Sequence, residues 1–241
     1  MQKLHDNENL MYRIMTAIYK SSVPIDYKGS MVLRAFLTKK DFDYMRHTRD
    51  MDANWLSDKA PTSEQMTSSI QRAMDRAGID VTVKMYREYG EGKSAGFEFY
   101  TPGSDTAAAY MDMDVNRPTY ASCVYEMGSF VFRGAVVEQM LADKICAVSG
   151  DKIFRRAKDV LDLYYLSKVC ELDYSKVWEA LSAMKKSPES FGGFLDRKED
   201  LRHAYDKFRV DDDVEKPDFD TVYNAVLEYI EPFISATDPR R

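Results

Sequence analysis

The residues best suited to chemistry lie in the segment 27–55. A Gly29-Ser30 pair is followed, twenty residues after the serine, by the alternation Asp50-Met51-Asp52. Side chains of an extended segment alternate between faces, so D-x-D sets both carboxylates on one side of a strand. Two carboxylates at close range repel, and a fold keeps them together chiefly to bind a hard divalent cation. A Gly-Ser turn offers backbone N–H groups and a hydroxyl, which suit a phosphate oxygen. Phosphate donors beside a Mg2+ clamp describe a nucleoside-triphosphate site. A short D-x-D also occurs in many solvated acidic loops, so its weight depends on its surroundings.

A second alternation supplies part of them. Met111, Met113 and Val115 alternate with Asp112 and Asp114 in a strand pattern over residues 108–115. Acidic residues are costly on a buried sheet face unless a cation compensates them. If this strand lies beside the Asp50/Asp52 strand, Asp112 or Asp114 completes a three-carboxylate cluster able to hold two Mg2+ ions. The alternative is a solvent-facing edge strand.

The elements that must position these residues can be read from periodicity. Leu10, Ile14, Ala17 and Ile18 mark a first helix, stopped by Ser21, Ser22 and Pro24; a short strand enters Tyr27 and a helix follows the Gly29-Ser30 turn. Thr62 with Gln65 resembles a capping box for a helix carrying Ile70, Ala73 and Met74, ended at Gly78. Residues 79–85 alternate as a strand, Gly90-Glu91-Gly92 makes a turn, and Phe97 and Phe99 mark the return strand. From Gly134 onward the patterns are helical: Val136 to Ile145, Phe154 to Tyr165, Tyr174 to Met184, Gly193 to Phe208 and Phe219 to Ile234. The expectation is a mixed α+β domain over residues 1–133 followed by an all-helical C-terminal domain over 134–241.

Composition bounds the partners. The 241 residues are 44% hydrophobic and 31% charged, as in soluble globular chains. No run approaches a membrane span and the polar N-terminus lacks a signal-peptide core, which points to a cytoplasmic protein. The three cysteines and three histidines form no disulfide or zinc pattern. A net charge of -6 argues against a general nucleic-acid coat protein, although two local basic clusters stand out. One comprises Arg34, Lys39, Lys40, Arg46 and Arg49, the other Lys152, Arg155, Arg156 and Lys158, and the compensating acid includes Asp211-Asp212-Asp213.

Two blocks resemble a known family. R-x-T-x-D-x-D (Arg46, Thr48, Asp50, Asp52) behind the Gly-Ser turn is similar to the N-terminal signature of the AbiEii/AbiGii toxins. These are nucleotidyltransferase-fold proteins of bacterial abortive-infection and type IV toxin–antitoxin systems. Glu138 to Ala147, with Lys144, resembles the family's E-x-x-x-x-x-K-x-x-A helix, and Arg155 to Leu166 its R-D-x-x-D-L-x-x-L helix. Two departures are visible. Lys28 stands where the family usually carries a glycine, and Lys158-Asp159 replaces R-D, losing the planar fork of arginine.

The resemblance implies a DNA polymerase β-like mixed sheet whose active site the helical domain completes. It implies Mg2+ on Asp50, Asp52 and Asp114, with Asp112 as the alternate third carboxylate. Gly29 and Ser30 would hold phosphate oxygens, with Arg46 and Thr48 shaping the site. Lys144 would be a point charge for the triphosphate or pyrophosphate. Asp159 would orient Lys144 or Arg46 or accept a proton, and Asp162 is assigned a structural part. The implied activity is transfer of NMP from an NTP to RNA, foremost a tRNA 3′ end, restrained by a cognate antitoxin. The alternatives are an NTP-binding regulator without transfer and an enzyme that adds NMP to protein hydroxyls. On residue types alone, Lys144 could equally be a snorkelling helix lysine and Asp159 a partner of Arg155.

Overall fold

The computed structural model describes residues 4–43, 46–48, 50–90, 93–210 and 215–237. Arg49, Glu91, Gly92 and Asp211 to Asp213, named above, lie outside them. The chain divides into two units, one formed by Met1–Lys39, Thr48–Arg117 and Ser122–Ala135, the other by Lys40–His47, Pro118–Ala121 and Val136–Arg241.

The first unit is built on strands β1 (Ile25–Lys28), β2 (Asp50–Trp55), β3 (Thr82–Tyr89), β4 (Ser94–Tyr100), β5 (Ala109–Val115), β6 (Ser122–Met127) and β7 (Phe130–Ala135). They form one mixed sheet in the order β3-β4-β5-β2-β1-β7-β6. The β2–β5 and β1–β7 pairs are parallel and the others antiparallel. Helices α1 (Asp6–Lys20), α2 (Gly29–Lys39) and α3 (Ser63–Arg76) pack with them. The period-two patterns explain the register. Met51, Ala53 and Trp55 of β2 and Met111, Met113 and Val115 of β5 are buried on one face, which leaves the aspartates on the other. A slip of one residue would exchange the two sets and bury charges at a cost on the order of several kcal/mol.

Local chemistry sets the helix ends. Thr62 Oγ1 accepts from the Gln65 N–H at 3.2 Å and Gln65 Oε1 accepts from the Thr62 N–H at 2.9 Å, the reciprocal cap that the sequence suggests for α3. In α1, Met11, Ile14, Met15 and Ile18 are fully buried. Glu8 is also buried, and its Oε2 accepts from Arg34 Nη1 at 2.9 Å. Arg34 is 1% exposed, so it is not part of a basic surface as its neighbours in sequence suggested.

There are three further departures. The β6–β7 hairpin, turning at Gly128 with φ +61°, is a strand pair where the sequence reading placed only a domain boundary. Its residues mix burial on both faces, so period two is weak there. Met85, read as an inward strand residue, is 39% exposed; it is the last regularly paired residue before the β3–β4 register shifts, on the edge strand of the sheet. The single helices expected over Gly193 to Phe208 and Phe219 to Ile234 are each broken in two, as set out next.

The second unit contains α4 (Val137–Ser149), α5 (Ala157–Val169), α6 (Tyr174–Ala183), α7 (Gly192–Asp196), α8 (Lys198–Lys207), α9 (Phe219–Tyr229) and α10 (Glu231–Thr237). Helix α4 packs on α5 and α6, and α5 packs on α9. Leu161, Leu166, Tyr165, Phe194, Leu201 and Val226 are buried among them. Among the described residues, no helix is long and apolar enough to cross a membrane.

Candidate active site

Strand β1 ends at Lys28 and α2 opens directly on Gly29. Gly29 has φ +73°, a region costly to side chains, and a Cβ there would strike Asp52 Oδ2. Two requirements, left-handed backbone and close approach of a carboxylate, thus fall on one glycine. Ser30, 7% exposed, lies in the first turn of α2, where helical N–H groups have no partner within the helix and the dipole favours an anion.

Beside this turn lies the acidic face of the sheet. In the β2–β5 pairing Asp50 is opposite Tyr110, Asp52 opposite Asp112 and Asn54 opposite Asp114. In the β1–β2 pairing Lys28 is opposite Asp52. Neighbouring strands are about 4.8 Å apart, so Asp52 and Asp112 stand side by side, and Asp114 is diagonal to Asp52. Both candidate third carboxylates carry cations. Lys28 Nζ is 2.6 Å from Asp114 Oδ2, and Arg117 Nε is 3.6 Å from Asp114 Oδ1. Arg87 Nη2 is 2.5 Å from Asp112 Oδ1, which also accepts from the Tyr86 hydroxyl at 3.1 Å. Asn54 is tied down by its amide, which donates to the Arg117 carbonyl and accepts from the Arg117 N–H. Lys28, Asp52, Arg87, Ser94, Asp112 and Asp114 line a cleft of about 310 Å³.

The donor set on the sheet suits a hard divalent cation in its chemistry, although the three ligand atoms that already lie within 4.8 Å of one another among the described residues are those of His5, Glu8 and His47, a grouping the sequence did not suggest. The sheet set is carboxylate oxygen throughout, on adjacent strands in register and partly exposed, next to a backbone left bare of Cβ at Gly29. The cations already on Asp112 and Asp114 are exposed or half-exposed pairs, weak enough to exchange.

A second group forms inside the second unit. Lys144 of α4 points at α5, with Nζ 2.8 Å from Asp159 Oδ1 and 2.7 Å from Asp162 Oδ2. The two aspartates are three apart on one helix and therefore neighbours on its surface. Asp162, assigned a structural part from sequence, is fully buried and shared. Arg46 Nε lies 3.4 Å from its Oδ1 and Arg46 Nη2 3.4 Å from its Oδ2. Burial alone would lower the Lys144 pKa, but the Asp162 and Asp159 charges and their hydrogen bonds outweigh it and hold the ammonium above its ordinary range. Asp159 Oδ2 is buried without a hydrogen-bond partner; besides Lys144, the carboxylate pairs with Arg156, 3.6 Å from Oδ2, and not with Arg155.

Arg46 and Thr48, two residues apart in R-x-T, belong to different units. Arg46 joins the Asp162 group, whereas Thr48 is buried in the first unit with its N–H donating to Glu8 Oε1 at 3.1 Å. The sequence reading missed Glu8, Tyr86 and Arg87. Only Tyr86 and Arg87 had a readable signal, a glycine (Gly96) inside a strand pattern, which marks bulges and close approaches.

The family model for the nucleotidyl transferase AbiEii toxin of type IV TA systems matches residues 28–225. No curated protein matches the chain. Among solved structures, MenT4, a nucleotidyltransferase toxin from Mycobacterium tuberculosis, is similar with a TM-score of 0.58. The match covers 97% of this chain and 84% of that one at 12% identity, so it shows a shared fold. The family match takes in both the D-x-D strand and the Lys144 and Asp159 helices over most of the chain, and the protein therefore belongs to the AbiEii family of nucleotidyltransferase toxins of type IV toxin–antitoxin systems.

Proposed function

We propose that the protein transfers NMP from an NTP to the 3′ end of an RNA, with tRNA as the acceptor, in the bacterial cytoplasm, and that a cognate antitoxin restrains it. One observation carries this reading: Asp52 and Asp112 stand in register beside a helix that opens on a glycine whose Cβ would occupy the position of the Asp52 carboxylate.

Asp50, Asp52 and Asp112 would hold Mg2+, which when bound neutralises charge on the triphosphate and the departing pyrophosphate. Register favours Asp112 over Asp114 as the third ligand, since Asp114 lies opposite Asn54. The Gly29 N–H and the Ser30 hydroxyl donate to terminal phosphate oxygens. The acceptor hydroxyl attacks the α-phosphorus, the bond to the bridging α–β oxygen breaks, pyrophosphate leaves, and the hydroxyl proton passes to a carboxylate. Lys144 serves the reaction as a permanently charged, fixed cation, and Asp159 is the residue that orients it. Arg46 and Thr48 act behind these groups, through Asp162 and Glu8.

The test is label transfer from each α-phosphate-labelled NTP with Mg2+ and total bacterial tRNA, beside an Asp50→Ala/Asp52→Ala control. Label on tRNA that the control loses is the expected result. Label on protein replaces the RNA reading with protein modification, and binding of NTP without label sinks transfer. Asp112→Asn should raise the Mg2+ requirement more than Asp114→Asn does, and the reverse order would restore Asp114 as the ligand.

A further inference from the structure

The strands beyond β5 carry a feature on the same face as Asp52 and Asp112. β3 pairs with β4 regularly as far as Met85 opposite Phe97, then resumes at Arg87 opposite Gly96, so Tyr86 is an inserted residue. Such a bulge sets two residues against one and re-aims a side chain. A Cβ at Gly96 would come within 2.5 Å of Tyr86 Cε1 and 2.8 Å of Arg87 Cγ. Glycine at 96 is what lets the tyrosine lie down over the strand.

From there the Tyr86 hydroxyl reaches Asp112, and its ring meets Tyr110 edge to face, at 6.3 Å and 89°. Tyr110 is in turn the cross-strand neighbour of Asp50. Two perpendicular rings make a corner rather than a closed stack. They remain 41% and 38% exposed, although aromatic pairs that serve stability gain from burial. The Arg87 guanidinium carbon lies 4.9 Å from the Tyr86 ring centre, a cation at the rim of the corner.

We propose that Tyr86 and Tyr110 form a stacking platform for a nucleobase, beside the carboxylates, with Arg87 facing the adjoining phosphate. The proposal rests on the nucleotidyltransferase reading above. A flat base with apolar faces and polar edges fits the corner, and base–aromatic stacking tolerates any base. The base can come from the incoming triphosphate or from the 3′ end of the acceptor.

Two probes separate these sources in the full chain with Mg2+: 2-aminopurine riboside triphosphate, and a single-stranded RNA ending in 2-aminopurine. The fluorescence of this base falls when it stacks. Wild type should bind and quench at least one probe, and that probe identifies the source. Tyr86→Ala/Tyr110→Ala should weaken binding of that probe about tenfold and abolish the quench. Tyr86→Phe should keep both, because it removes only the hydrogen bond to Asp112. The rings are exposed, and thermal melting of each variant verifies that it folds. The proposal falls if the double variant binds and quenches like wild type, if Tyr86→Phe fails as completely as the double variant, or if neither probe binds wild type. Label transfer by the same preparations separates the two levels. Unchanged transfer to tRNA by the double variant sinks the platform alone, whereas absence of transfer by wild type sinks the RNA-transfer reading.

Discussion

The two acidic groups of the molecule use the same side chains to opposite ends. On the sheet, Asp52, Asp112 and Asp114 are half-buried, and cations reach Asp112 and Asp114 from partly exposed side chains. In the helical unit, Asp159 and Asp162 are 4% and 0% exposed and share a lysine that is itself nearly covered. Exposed pairs contribute roughly 0–1 kcal/mol and exchange readily for another ligand. Buried pairs are different: deleting one partner strands the other and costs about 3–5 kcal/mol. Charge type alone does not separate a group open to an exchanging ligand from one whose charges are fixed in place; burial does.

Substitutions should split along that line. Asp52→Asn should cut nucleotidyl transfer by about a thousandfold or more, since it removes charge stabilisation at the reacting phosphate, and leave urea-unfolding stability nearly unchanged. Asp162→Asn should instead lower unfolding stability by about 3–5 kcal/mol. Stability losses of equal size in the two variants would erase the distinction drawn here. Gly29→Ala lies between them. It meets both a positive φ and the Asp52 carboxylate, so it should cost about 1–2 kcal/mol of stability and also raise the KM for NTP; an unaltered KM would detach the α2 turn from the site.

The smallest effect is one of pH. Below the ordinary lysine value of 10.5, Lys144 is charged in folded and unfolded chains alike, and its ion pairs contribute fully. Above it the unfolded chain loses its proton first, while the folded chain, with its pKa held higher, keeps it, and the contribution fades as pH climbs toward the folded value. Lys144→Met should therefore cost a constant stability between about pH 6 and about pH 9 and a shrinking amount above about pH 10.5. A cost that shrinks within the neutral range would mean that Lys144 is not held as a charged group.

What could be read from the sequence follows from how local each signal is. The D-x-D strand, the Asp112/Asp114 strand and the Thr62 cap are written in neighbouring residues, and the α+β nucleotidyltransferase fold follows from them together with the family resemblance. Whether Asp112 or Asp114 stands beside Asp52 depends on register between strands separated by two others in the chain, and nothing near either residue encodes it. Arg34 looked like one of a run of surface cations because its partner, Glu8, is on another helix. Asp162 could be given a structural part from sequence, but its partners, Lys144 and Arg46, are apparent only in the folded chain.

The order of strands also bears on how the chain is made. β1 has β2 on one side and β7 on the other, and its parallel partner residue for Tyr27 is Gly134, a separation close to half the chain. During synthesis β1 and β2 can associate well before β7 has emerged, and β5 shortly before, and until then one flank of β1 offers unpaired N–H and C=O groups. A nascent chain from which β5 has emerged and β7 has not would thus have its acidic strands free to assemble and an open edge in the middle of the future sheet. That interval is when this protein should be most prone to aggregate and most dependent on chaperones.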